Sequence, residues 1–441
     1  MPSVSAGPAS ARTSISGRLP FVLHASILIA LLAASSAPTP VYSRYQAKWQ
    51  LSALDITVVF SAYALALLIA LLTTGTLSDH LGRRPVLMGA LAVQVASMAL
   101  FATAGGLSTL IGARVVQGLA TGAATSAAGA ALLDLESPTR PGRSALANSI
   151  APVTGMAAGV LGATVLVRFA PAPTITLYVV LAALFAAQAA ALAWTSETAR
   201  PRPGGLRSMR PHLALPPAAA HALLLHGAGV VAIWALGGFY SSLGPAFTRL
   251  ISPQGPQSAG GMVFFTLTAV AALTVYCTRK MRADISALLG SCAVLPAAAL
   301  SLAALFLGSL VLLFTGAALA GFGFGAVSQG ALRTVVGSVP AGDKGGTLAS
   351  YYVLSYLAMS LPAIGAGALT TGFGLRTAAL AYAGCVAALA AIAVATLSVP
   401  LRGPHRTPPH LTHYGPEAMN TASIAAGTTT HTPRARTTHN R

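Results

Sequence analysis

Long apolar runs separated by short polar breaks set the pattern of this chain. Runs of about 20 apolar residues match the length at which an α-helix crosses the hydrocarbon core of a bilayer. The pattern predicts helices 1 to 6 over residues 20–38, 55–78, 86–104, 107–133, 144–167 and 174–195. It predicts helices 7 to 12 over residues 217–241, 258–277, 285–307, 309–335, 346–370 and 375–399. Residues 196–216 break the pattern with Arg200, Arg202, Arg207, Arg210 and several prolines, a composition shift that reads as a linker. The expected organisation is therefore an N-terminal tail (1–19), a first six-helix half (20–195), the linker (196–216), a second half (217–399) and a tail (400–441). That last segment is rich in Thr, His, Pro and Arg and is expected to be disordered.

Composition agrees with the pattern. Of 441 residues, 55% are hydrophobic and only 8% charged, against the roughly 25% charged of soluble domains. The net charge of +18 would suggest nucleic acid in a soluble protein. Here the basic residues lie in short loops and tails, and orientation explains them, with no nucleic-acid partner expected. With the N-terminus inside, only Arg44, Lys48, Arg168, Arg249, Arg376 and the intrahelical Arg114, of 26 Lys and Arg, fall outside the inner side. Both termini are therefore expected in the cytoplasm, with the chain embedded in the plasma (inner) membrane. The run Phe21–Leu32, after Arg12 and Arg18 and before Ala33–Ala37, also has the layout of a cleaved signal. Followed by Pro38 to Tyr42, it reads instead as an uncleaved first span. Cys277, Cys292 and Cys385 fall in or beside apolar runs without metal-ligand spacing, and are expected to act as small packing residues. No metal or cofactor is expected.

The break between helices 2 and 3 is the most specific in the chain: Gly75-Thr-Leu-Ser-Asp79-His-Leu-Gly82-Arg83-Arg84-Pro85. Gly82 permits a sharp reversal, the two arginines hold the loop inside, and Pro85 suits a first helical turn. This loop resembles the signature between helices 2 and 3 of the major facilitator superfamily, G-x-L-x-D-R-x-G-R-R, departing from it at His80. The resemblance implies an all-α membrane fold of twelve transmembrane helices in two six-helix halves. It also implies that Asp79 faces the N-terminus of helix 11, around Gly345-Gly346-Thr347, as a lock on the cytoplasmic side. Asp134, ending helix 4, is implied as partner of the loop's basic residues. The corresponding loop of the second half, Thr278 to Asp284, keeps positive charge but lacks the glycines.

Arg114 is the most costly residue in the pattern, about 10 Å inside helix 4. It must face the interior with a partner or reach out to the surface; the nearest acid by depth is Asp55. Arg114-x-x-Gln117-Gly118 is similar to the superfamily's helix-4 motif, which implies a role in proton coupling. On helix 5, Pro152 and Gly155 match part of the antiporter motif G-P-x-x-G-G, while Ala151 and Met156 depart from it. His226, Trp234 and Tyr240 on helix 7, with Tyr352 and Tyr356 on helix 11, are candidates for the wall of a solute cavity. The expected function is secondary transport of a small amphipathic solute by alternating access, as a proton-linked exporter working as a monomer. Symport or facilitated passage of a sugar or other metabolite is the alternative. A membrane enzyme or sensor is the reading from another class. It finds no catalytic cluster, no phosphate loop and no output domain in the sequence.

Overall fold

The computed structural model describes residues 18–199, 203, 209, 213 and 215–402. The expected tails, apart from residues 18–19 and 400–402, and most of the linker lie outside the described residues. Everything described is helix, turn or loop, with no strand. The long helices are α1 (Arg18–Ser36), α2 (Ala53–Thr74), α3 (Arg83–Ala102), α4 (Leu107–Asp134), α5 (Arg143–Phe169) and α6 (Pro173–Ala193). They continue as α7 (Pro217–Ser242), α8 (Ala259–Thr278), α9 (Ala283–Leu307), α10 (Leu310–Gly337) and α11 (Lys344–Arg402). Each is long and apolar enough to cross a membrane.

The predicted helices 11 and 12 run on as a single element, α11, broken at Gly374 (φ 79°, ψ 161°). A straight helix of 59 residues would measure about 90 Å, near three hydrocarbon thicknesses. Its contacts with α7 show how it folds instead. Gly227 and then Gly238 of α7 face Leu354 and then Met359, so the first arm runs alongside α7 in the same direction. Leu225 and then Ala235 of α7 accept hydrogen bonds from Thr396 (3.3 Å) and Tyr382 (2.6 Å), so the second arm runs back. Gly374 is the reversal, in a conformation that a Cβ resists.

The two ends of the bundle can be named by their turns: the Arg83 end, with the loop between α2 and α3, and the Gly374 end. Two short helices at the Gly374 end, Tyr42–Trp49 and Gly244–Ile251, occupy stretches whose polarity reads as loop. One hydrophobic core gathers residues from Phe21 to Leu192. Another gathers Val230 to Ala390 and takes in Val160 of α5. The outward faces carry exposed Leu224, Leu273 and Val311, the apolar exterior that lipid rather than water favours. Cys277, Cys292 and Cys385, expected as small packing residues, are free and exposed on the helix surfaces.

Candidate functional site

At the Arg83 end, the chain leaves α2 through the short helix Leu77–Leu81 and reverses at Gly82 (φ 100°, ψ 152°). A Cβ at Gly82 would be strained by that φ and would lie 2.6 Å from a carboxylate oxygen of Glu197. Gly75 keeps helical dihedrals (φ −54°, ψ −39°), so the conformational demand falls on Gly82. Arg83 joins two acids, pairing with Asp79 and, through Nε at 3.1 Å, with Asp134; it also donates to Ser78 Oγ at 2.7 Å.

Glu197, just past α6, was not singled out in the sequence, yet it holds this loop together. It accepts from the backbone N–H groups of Arg83 (2.8 Å) and Arg84 (3.0 Å), the free donors of the first turn of α3. It also takes the N–H groups of Thr198 (2.9 Å) and Ala199 (3.0 Å). Partial burial opposes its ionisation, but these four donors outweigh it and hold the carboxyl below the usual glutamate range. Arg84 donates to the Ala193 carbonyl, and Thr198 to Asp134 at 3.3 Å. Asp79 meets Arg83 rather than the start of α11, where a Cβ at Gly345 would have nothing within 4 Å. Among the described residues, no hydrogen bond or ion pair joins Asp79 to α11.

Arg114 is fully buried rather than reaching a surface. Its Nη1 donates to the Ser35 carbonyl (2.9 Å) and to Gln117 Oε1 (2.8 Å), and its Nη2 to the Tyr42 hydroxyl. The rings of Tyr42, Tyr63 and Phe101 surround the guanidinium at 5.3–5.7 Å. No carboxylate lies in ion-pair range among the described residues. The expected partner, Asp55, is engaged elsewhere. It accepts from Ser52 N–H and Oγ at 2.8 Å, while Ser52 Oγ accepts from Asp55 N–H at 3.1 Å. That reciprocal capping box starts α2 and corrects the proposed pair. Gln117 donates to the Ala34 carbonyl (2.9 Å), tying α4 to α1. Gly118 presses on the backbone of α2 at Tyr63 and Leu67, a contact that only a missing side chain permits.

Ser35 and Tyr63, which touch Arg114, also line the central cavity, of about 280 Å³. Its wall comes from α1, α2, α5, α7, α8, α10 and the first arm of α11. Trp234, Tyr352 and Tyr356 lie in that wall, as does Pro152. His226 and Tyr240 do not. His226 bonds the Ala222 carbonyl one turn back (3.0 Å), and Tyr240 meets Ser301 (2.7 Å) beside a separate small pocket. Gly155 packs against α1 at Leu32 and the backbone of Ile29. The polar wall residues Ser35, Ser36, Asn148 and Gln329 escaped sequence reading, because small polar residues in apolar runs carry no signal of which face they take.

The cavity is stopped at the Gly374 end. There Ser61 Oγ donates to the Ser360 carbonyl (3.2 Å), Gly367 abuts Leu54 and Thr57, and Gly261 abuts Pro40. The wall runs from Ser241 and Phe264, near helix termini at the Gly374 end, to Ser149 and Arg333, each within two turns of its helix terminus at the Arg83 end.

The family model described as Major Facilitator Superfamily matches residues 23–361. No curated protein matches the chain. Among solved structures, a bacterial homolog of the human lysosomal transporter Spinster, inward-facing and unoccupied, is similar with TM-score 0.72 and 14% identity, over 90% of this chain and 98% of that one. The human organic anion transporter MFSD10 (TETRAN) gives TM-score 0.61 and 20% identity, over 85% and 99%. The nucleoside transporter NupG gives TM-score 0.64 and 12% identity, over 86% and 98%. At these identities the likeness concerns the fold.

Proposed function

The chain belongs to the Major Facilitator Superfamily, and from that premise we propose that it exports a small amphipathic solute across the cytoplasmic membrane, coupled to protons. It is an integral membrane protein and a secondary transporter rather than an enzyme. The observation that carries the proposal is the cavity. It lies between helices of both the first and second parts of the chain, is stopped at the Gly374 end, and continues toward the Arg83 end. Such a site alternates its access when the two sets of helices rock about it. The distribution of Lys and Arg supports placing the Arg83 end in the cytoplasm, so this conformation faces inward. Aromatic walls with scattered hydroxyls suit an amphipathic solute better than a sugar, which needs many more hydrogen bonds. Arg114, charged and without an acid one layer behind the wall, supports the proton link. A fixed positive charge there favours loss of a proton from any acid that the solute brings.

The loop of Asp79, Gly82, Arg83, Arg84 and Asp134, fastened by Glu197, serves in this reading as the inner gate. Its ion pairs are partly exposed, worth under about 1 kcal/mol each, and so can break and re-form in a cycle. The test is flux in proteoliposomes of known protein orientation, with and without an imposed pH gradient. Uphill solute movement against proton flow supports export by antiport. Movement of solute and protons in one direction identifies a symporter, and gradient-independent equilibration a facilitator.

A further inference from the structure

Extending this transporter reading, on which it rests, we infer that the cavity takes amphipathic anions: an aromatic or other apolar body bearing one oxyanion head. Charge is the first observation. Among the described residues, no carboxylate lines the cavity, and the ionised side chain in its wall is Arg333. Arg333 Nη1 donates to the backbone carbonyls of Arg279 (3.3 Å) and Met281 (2.9 Å), and among the described residues Arg333 makes no ion pair. Arg114 adds a second positive charge behind Ser35 and Tyr63, again with no acid beside it. The buried Arg114 raises the potential inside a weakly polarisable wall, where it is poorly screened, while the exposed Arg333 adds a solvent-screened charge at the Arg83 end.

Hydrogen bonding is the second observation, and it is independent of the first. Tyr63 Oη, Trp234 Nε1 and Ser328 Oγ belong to residues of this wall and make no well-formed hydrogen bond, although Ser35 and Thr121 lie beside the first and Tyr351 beside the second. An indole N–H can only donate, and a hydroxyl adapts to donate. Burying such groups without a good bond is costly, so an acceptor toward which these side chains turn would recover that cost. An ammonium head could bond the two hydroxyl oxygens but not the indole N–H, which only an acceptor satisfies. Nor does the wall hold a free acid for it, and the Tyr63 ring already carries the Arg114 guanidinium at 5.3 Å. The apolar body has its own place. Trp234 packs at 5.5 Å from Phe324 and 5.3 Å from Tyr356, and Tyr356 packs against Tyr63. The ring cluster thus joins Tyr63 and Trp234, so one small molecule can lie beside both.

Trp234 also makes the test direct, because only Trp49 and Trp194 accompany it in the chain. The double variant Trp49→Phe/Trp194→Phe leaves Trp234 as the one tryptophan, excited selectively over the tyrosines at the red edge of its absorption. Its emission is titrated in detergent with 2-naphthoate and with 2-naphthylmethylammonium, which share a ring and differ in head charge. The expected result is saturable quenching by naphthoate, with a Kd lower than that of the ammonium by about tenfold, or 1.4 kcal/mol. Adding Tyr63→Phe, which keeps the ring and removes the hydroxyl, weakens naphthoate more than the ammonium. Equal or tighter ammonium binding, or no quenching by either probe, overturns the inference. Exchange of both probes across proteoliposomes separates it from its premise. Ammonium exchange without naphthoate exchange keeps the transporter and overturns the anion. Naphthoate binding with no exchange of either probe keeps the anion site and overturns the transporter.

Discussion

Arg114 was legible as a residue that had to be explained, since an arginine inside an apolar run must be buried with partners or reach a surface. Its partners were not legible. Depth along the helices suggested Asp55, but Ser52-x-x-Asp55 is itself a capping signature, and the local closure takes the acid. The guanidinium instead holds Gln117, one turn along α4, together with Ser35 and Tyr42, which only folding brings to it. Arg114→Gln should therefore cut gradient-driven accumulation about tenfold while exchange without a gradient persists. Arg114→Lys should fail to restore coupling, because one ammonium cannot span the two forks of the guanidinium. Both fluxes measured on one preparation decide this, and parent-like accumulation in both variants removes Arg114 from coupling.

Glu197 teaches the complementary lesson at the same scale. It lies in a polar stretch with no motif, and its role rests on backbone N–H groups more than a hundred residues away. Its carboxyl is held below the usual glutamate range, so the ionised form stabilises the fold. That contribution is present above the ordinary glutamate pKa of about 4.3 and is lost as pH falls through the lowered folded value. Glu197→Gln should melt below the parent at pH 7, with the gap narrowing as the buffer is taken below about pH 4. Thermal unfolding in detergent across that range checks it; a gap independent of pH would mean that the carboxylate is not the fastening group.

At the scale of elements, hydropathy placed the helices well because lipid solvates their outer faces and leaves a continuous apolar signal. The reversal within α11 was also legible, since no membrane helix needs 59 residues. The short helices Tyr42–Trp49 and Gly244–Ile251 were not, being too brief and mixed to show in that signal. Which glycines matter is likewise invisible to hydropathy. Gly118 and Gly122 lie one turn apart on α4, and both press into the backbone of α2. Gly118→Val should separate these helices and cost about 1–3 kcal/mol, whereas Gly112→Ala, with open space beside it, should be tolerated. Thermal stability of the two variants compares them directly. Topology is tested at this scale too. With the Arg83 end in the cytoplasm, a single cysteine at Ser208 should resist impermeant reagent on intact cells and react after lysis. Labelling of intact cells would invert the orientation.

The whole molecule was legible as a class from the loop at residues 75–85, but its conformation was not. Which end of a transporter is closed depends on contacts such as Ser61 with Ser360, between residues that carry no distinctive pattern. The expected contact between Asp79 and the start of α11 belongs, in this account, to the opposite conformation. The account's central claim is that the two ends open in turn, and one pair of distances tests it most directly. With Cys277, Cys292 and Cys385 replaced, spin labels at Thr73 and Gly345 report the Arg83 end, and labels at Gln50 and Thr371 report the Gly374 end. Electron–electron resonance is recorded on reconstituted protein before and after a pH gradient and solute are supplied. The account predicts two populations, in which the first distance shortens as the second lengthens. Distances that stay fixed under all conditions, or that lengthen together, would contradict it.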